Sequence, residues 1–218
     1  MQLKTILAAS VVVSFGAVHA FGDIVYSNAV NYSGIFLNPG LSEVGDEIIL
    51  APGGPRTAST FRFEYYGDGL DSGTVANQFQ IRFYDNSTLI PNDLGMFYDS
   101  GLIALPTPDN ASGRNTLEFD LSSLNLTLPE DFTWSIQFSG IEAGETAGVT
   151  IYDPATVGTG YDDYWLRNGG GNWVLMGTNV PISFGAAFTA VPEPSTYVLA
   201  ILGGICGLAL VNRRNRKR

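Results

Sequence analysis

The stretch "DFTWSIQFSG", Asp131 to Gly140, decides the fold. Phe132, Trp134, Ile136 and Phe138 alternate with Thr133, Ser135, Gln137 and Ser139. In an extended chain successive side chains point to opposite faces, so this spacing puts the apolar set on one face of a half-buried strand. The same period of two recurs in "TFRFEYYG" through Phe61, Phe63 and Tyr65, and in "NQFQIRFYD" through Phe79, Ile81 and Phe83. Further strands are expected at Asp23 to Tyr26, Glu47 to Leu50, Thr116 to Leu121, Thr150 to Tyr152, Trp173 to Met176 and Pro181 to Thr189. Clusters of Gly, Pro, Asn and Asp separate them, and no segment carries a helical stripe. "DYWLRNGGGNWVLMG" reads as a hairpin whose glycine-rich turn joins two Trp-bearing strands. Nine or so such strands predict an all-β domain, an antiparallel β-sandwich of jelly-roll type spanning residues 21–190. A stretch of that length is ample for one core and short for two.

Charge and rare residues narrow the chemistry. Five arginines (Arg56, Arg62, Arg82, Arg114 and Arg167) against twenty carboxylates leave residues 21–190 at −15, whereas the whole chain carries −10. A surface so acidic and free of lysine argues against nucleic acid or anionic lipid as partner and suits cations or polar sugars. The single cysteine, Cys206, and the single histidine, His19, both lie outside 21–190. That domain therefore has no disulfide, no Cys or His zinc site, and neither a Ser-His-Asp nor a Cys-His arrangement.

Candidate sites in the domain are of three kinds. Tyr164, Trp165 and Trp173 are candidate sugar contacts, since aromatic faces stack on sugar rings, although strand aromatics more often pack in a core. Asp68 and Asp71 in "GDGLDSG", with Asp162 and Asp163 in "GYDDYW", are hard oxygen donors suited to calcium, but neither loop has EF-hand spacing. No other cofactor is expected. Paired carboxylates alone cleave glycosides, so a secreted carbohydrate-active enzyme stands as the alternative to a non-catalytic role, although no pair of the twenty is marked out.

The two ends of the chain carry addresses. Lys4, the apolar run Ile6 to Val18 and the small residues at Val18 and Ala20 predict a secretory signal over residues 1–20, cleaved after Ala20 by signal peptidase after export through the Sec machinery. At the other end, residues 197–211 hold no charge, and a helix of that length is about 22 Å long, just enough to span a bilayer with some thinning. Arg213, Arg214, Arg216, Lys217 and Arg218 follow, and the positive-inside tendency places them in the cytoplasm, with the domain outside. Ahead of the helix, two prolines in Val191 to Pro194 impose a stiff, non-helical stretch.

The order Val191-Pro192-Glu193-Pro194-Ser195-Thr196, then a short spanning segment, then an arginine-rich end, resembles the PEP-CTERM sorting signal of exported proteins in Gram-negative bacteria. The resemblance covers about the last 27 residues, and its domain would run over 191–218 with a basic tail at 212–218. It implies exosortase as partner, with Pro192, Glu193 and Pro194 as the recognition residues and the helix holding the substrate in the inner membrane until the anchor is removed. It further implies a cell-surface or extracellular-matrix protein that accompanies exopolysaccharide.

Overall fold

The computed structural model describes residues 22–53, 56–70, 75–86, 95–106, 112–169 and 171–192. The expected signal segment with Ala20, Asp71, Glu193, Pro194, the apolar 197–211 segment and the basic tail lie outside the described residues. No helix among the described residues is long and apolar enough to cross a membrane.

Among the described residues there are fifteen strands: β1 (Asp23–Asn28), β2 (Tyr32–Leu37), β3 (Glu43–Ile49), β4 (Arg56–Asp68), β5 (Gln78–Asp85), β6 (Met96–Asp99), β7 (Ile103–Ala104), β8 (Ser112–Asp120), β9 (Thr127–Leu128), β10 (Asp131–Ser139), β11 (Thr146–Tyr152), β12 (Thr159–Gly160), β13 (Tyr164–Arg167), β14 (Trp173–Met176) and β15 (Ala186–Pro192). They form two antiparallel sheets, and no α-helix occurs among the described residues. In the first sheet the long β4 is the spine. Its residues from Thr60 onward pair with β8 on one edge; on the other, β15 takes Arg56 to Phe63 and β11 takes Tyr65 to Asp68. β1 extends this sheet beyond β15, and β2 extends it beyond β11. The second sheet runs β14-β13-β3-β10-β5-β6, with β10 near its centre.

Alternation along β4, β5 and β10 explains why the sheets face each other. Phe61, Phe63 and Tyr65 from one sheet and Phe79, Ile81, Phe83, Phe132, Trp134, Ile136 and Phe138 from the other are all buried. Phe61 meets the Trp134 ring at 5.2 Å and Phe83 at 5.3 Å, while Phe188 of β15 meets Phe132 at 5.2 Å. Full burial of each such side chain contributes about 1.5–3 kcal/mol, and edge-to-face pairing adds about 0.5–1.5 kcal/mol. Without a disulfide, this aromatic interlayer is the principal source of cohesion.

Every expected strand region contains a strand, and the hairpin forms with Trp165 opposite Leu175 and Arg167 opposite Trp173. Two differences are instructive. The last strand was expected over Pro181 to Thr189 but begins at Ala186; ahead of it Phe184 makes only an isolated bridge to Ile151, and its N–H is taken by the Asp46 carboxylate. The strand then runs on, with Val191 opposite Thr57 and Pro192 opposite Arg56, two residues past the expected domain boundary. β2 had no alternation to announce it, since Ser33 to Phe36 are all exposed at the sheet edge.

Phe61→Ala is expected to lower unfolding free energy by about 3–5 kcal/mol, because it empties the centre of the interlayer. Urea denaturation of wild type and variant measures this; a loss under about 1 kcal/mol would mean that the two layers do not depend on that contact.

Candidate functional site

The polar side of β10 defines the outer face of the second sheet. Register places Tyr84, Thr133 and Glu47 in one row, Arg82, Ser135, Gly45 and Trp165 in the next, and Gln80, Gln137, Glu43, Arg167 and Trp173 in a third. Glu43 is buried at the centre. Its carboxylate accepts hydrogen bonds from the Tyr84 hydroxyl at 2.9 Å and the Ser135 hydroxyl at 2.6 Å. Arg82 Nη1 lies 2.9 Å away and Arg167 Nη1 3.7 Å away. Arg82 also reaches Asp99 at 3.2 Å, and Gln80 and the Gly101 N–H hold that carboxylate from the other side. Although partial burial opposes it, this set of donors keeps the Asp99 pKa below the usual carboxylate range.

This network clamps Glu43 between strands of the outer face. Burial first, and then the adjacent Glu43 charge, push the Tyr84 phenol well above its ordinary pKa, so it stays protonated and donating. The Trp173 ring stands edge-on to Tyr84 at 5.5 Å, and the Arg167 guanidinium lies 5.7 Å from the Trp173 ring centre. Gly45 is required beneath it, since a Cβ there would lie 2.8 Å from Thr133 Cγ2.

One corner of the same sheet is different in character. Glu47 accepts from the Trp165 indole N–H at 3.3 Å, and Asp131 accepts from the Asn86 amide at 2.9 Å. Burial raises the pKa of both; Asp131 and Asp163 raise Glu47 further, while Asp85 and Glu130 do so for Asp131. No arginine pairs with either carboxylate among the described residues. Alongside lies an open pocket of 170 Å³ whose lining includes Asp153, Thr159, Tyr161, Asp162 and Ser183. Tyr161 is 41 % exposed.

The expected sugar contacts separate. Tyr164 belongs to the core, packed on Phe184 with ring centres 6.2 Å apart, because it lies on the inner side of β13. Its ring packs inward, and the residue is 9 % exposed. Trp165 is on the outer face but 8 % exposed, and Trp173 is half-buried over Tyr84. The more open aromatic is Tyr161. For calcium, Asp68 is exposed at the end of β4, Asp162 is exposed and Asp163 half-buried in the loop before β13. No group of three or more His, Cys, Asp or Glu side chains among the described residues is arranged to hold a metal ion. The Glu43 clamp escaped sequence reading because its members come from four strands, and the alternation Glu43, Gly45, Glu47 was its one visible trace.

No protein-family model matches this chain, and no curated protein matches it. Among solved structures, it is similar to the cysteine protease and lectin-like domains of Cwp84, a surface-layer-associated protein of Clostridium difficile, at 8 % identity and a TM-score of 0.46. The match covers 69 % of this chain and 32 % of that one, so the chain spans about a third of its length. A likeness of this size carries no argument about activity or ligand.

Glu43→Gln is expected to cost about 3–5 kcal/mol in urea unfolding, since two arginines would lose the carboxylate they were folded around. A loss under about 1 kcal/mol would show that Asp99 alone holds this face. Acidity should act in the opposite direction at the other corner. Glu47, Asp131 and the interior Asp46 have folded pKa values raised above their unfolded ones. Between those two values the folded state holds more protons, so stability is gained as pH falls and lost as it rises. Asp99 and Asp120 are lowered, and their contribution disappears only on further acidification through the normal carboxylate range and below. The melting temperature is therefore expected to be higher near pH 5 than near pH 8, by calorimetry; the reverse order would overturn this account.

Proposed function

We propose that this chain is an exported β-sandwich of jelly-roll type that is sorted through its C-terminus and remains at the cell surface or in the extracellular matrix as a non-catalytic, polysaccharide-associated component. In this reading a signal peptide is removed after Ala20, and the apolar 197–211 segment holds the protein in the inner membrane with its domain outside and residues 212–218 in the cytoplasm. Exosortase then acts at Pro192, Glu193 and Pro194.

The observation that carries the proposal is the order of residues at the C-terminus: the tripeptide, fifteen residues without charge, then five basic side chains within six positions. The fold supports it in one respect. β15 runs through Pro192, in register with Arg56 of the central strand, so the first residue of the tripeptide directly continues the ladder of the domain. Proline suits that place because it has no N–H to leave unsatisfied. The matrix role draws support from the charge of the domain, which favours solubility and self-repulsion, and from the exposed Tyr161 beside the Asp153 and Asp162 carboxylates, which matches the way aromatic rings and acids engage sugar hydroxyls.

Intact mass and location in the native cells test the sorting step. Wild type is expected outside the cell, ending near Pro194, whereas a variant carrying Pro192→Ala, Glu193→Ala and Pro194→Ala is expected to stay full-length apart from its signal and to remain in the inner membrane. Full-length membrane protein in both cases would overturn the proposal and leave the C-terminal segment a simple anchor.

A further inference from the structure

Asp46 is the most deeply buried carboxylate among the described residues. It projects from β3 into the interlayer, where its Oδ2 accepts from the Phe184 N–H at 2.7 Å and from the Ser183 hydroxyl at 3.2 Å. The Asn28 amide of β1 donates to the same Ser183 oxygen at 2.7 Å, and to the Tyr152 carbonyl at 2.9 Å. One hydroxyl thus ties together side chains from both sheets.

The rest of the cluster is unsatisfied. Asp46 Oδ1, Asn28 Oδ1 and the Tyr26 hydroxyl have no hydrogen-bond partner, and all three residues have no solvent exposure. Burial and then the Asp46 charge push the Tyr26 pKa up; the Ser183 hydroxyl lies near enough to lower it, but the pair falls short of hydrogen-bond geometry. Buried polar oxygens in native proteins are rarely left this way, since each forfeits its hydration for nothing. Charge makes the situation sharper. No arginine pairs with Asp46 among the described residues, and the acidic groups that act on it, Asp163 and Glu47, have the same sign. A negative group in apolar surroundings needs either a proton or a positive partner.

There is also an approach from outside. Gly160 of β12 lies directly over the cluster: a Cβ built on it would stand 3.0 Å from Ser183 Oγ and 3.3 Å from the Tyr26 hydroxyl. Gly160 and Ser183 both line the open pocket that Asp153 and Asp162 flank. A residue without a side chain therefore stands between the unsatisfied oxygens and a pocket lined by two carboxylates.

We propose that Asp46, Asn28, Ser183 and Tyr26 bind one hard cation of the calcium class inside the sandwich, reached through the pocket beside Asp153 and Asp162. A carboxylate, an amide oxygen and hydroxyls are donors such ions accept, and the ion would supply the positive partner that Asp46 lacks. This site is separate from the loop aspartates Asp68, Asp71, Asp162 and Asp163, which the sequence suggested as ligands, and it rests on no part of the sorting proposal.

The test is thermal unfolding of the full-length chain in detergent, with millimolar calcium chloride or with chelator. At calcium about a hundredfold above its Kd, the wild-type melting temperature is expected to rise by roughly 5–10 °C. Asp46→Asn should abolish that rise. Gly160→Ala, whose new methyl presses on Ser183 and Tyr26, should reduce it by more than half. Absence of a calcium effect on wild type would overturn the proposal and assign Asp46 as a neutral acid. A full rise retained by a folded Asp46→Asn protein would equally overturn it, placing the calcium elsewhere. Should Asp46→Asn fail to fold, Gly160→Ala decides: a reduced rise supports the site and an undiminished one overturns it.

Discussion

Contact between the two apolar faces is what the rest of this structure depends on. Phe61 lies against Trp134, Phe83 and Phe188, so one ring joins β4 and β15 to β5 and β10 across the layers. Strand pairing by itself stabilises each sheet only weakly in water, because backbone groups exchange solvent hydrogen bonds for those of the ladder. Burial of the rings makes up the difference, and it fixes register too, since a slip of one residue along β10 would turn Trp134 to solvent and Ser135 into the core.

The scarcity of positive charge organises the surface. Arg82 and Arg167 converge on Glu43, and Arg114 lies 3.7 Å from Glu64 and 4.2 Å from the centre of the Tyr32 ring. Around Glu64 the Tyr152 hydroxyl donates at 2.7 Å, and burial together with that carboxylate pushes the phenol up to about 12. Arg56 donates to the Ala51 carbonyl. With three of the five arginines in two clamps and a fourth on the backbone, the corner holding Glu47, Asp131 and Asp163 is left to protons or external cations. The electrostatics of the domain therefore divide it into a neutralised centre and an acidic rim.

Much of the fold was legible because burial on one face writes a period of two into the chain. β4, β5 and β10 could be read from Phe61, Phe79 and Phe132 and their alternate neighbours. Where that cause is missing, so is the signal: β2 is exposed along most of its length, and β7, β9 and β12 are two residues each. The start of β15 was misplaced as well. Phe184 looks like any strand residue in sequence, but it makes only an isolated bridge and its N–H goes to Asp46, which is 138 positions away. Tyr164 illustrates the same limit, because aromatic character reads identically whether the ring faces the core or a ligand.

By itself, then, the sequence determined the class of the domain, its acidic charge, the absence of histidine and cysteine chemistry between residues 21 and 190, and the character of its last residues. These are properties of composition and of neighbours along the chain, which no folding alters. Only the tertiary structure decided which carboxylates met arginines and which did not. Glu43 and Asp46 stand three positions apart on one strand, yet one faces outward into four donors and the other inward with one oxygen unsatisfied. The pleat sends them to opposite faces, and partners drawn from distant strands give each its chemistry.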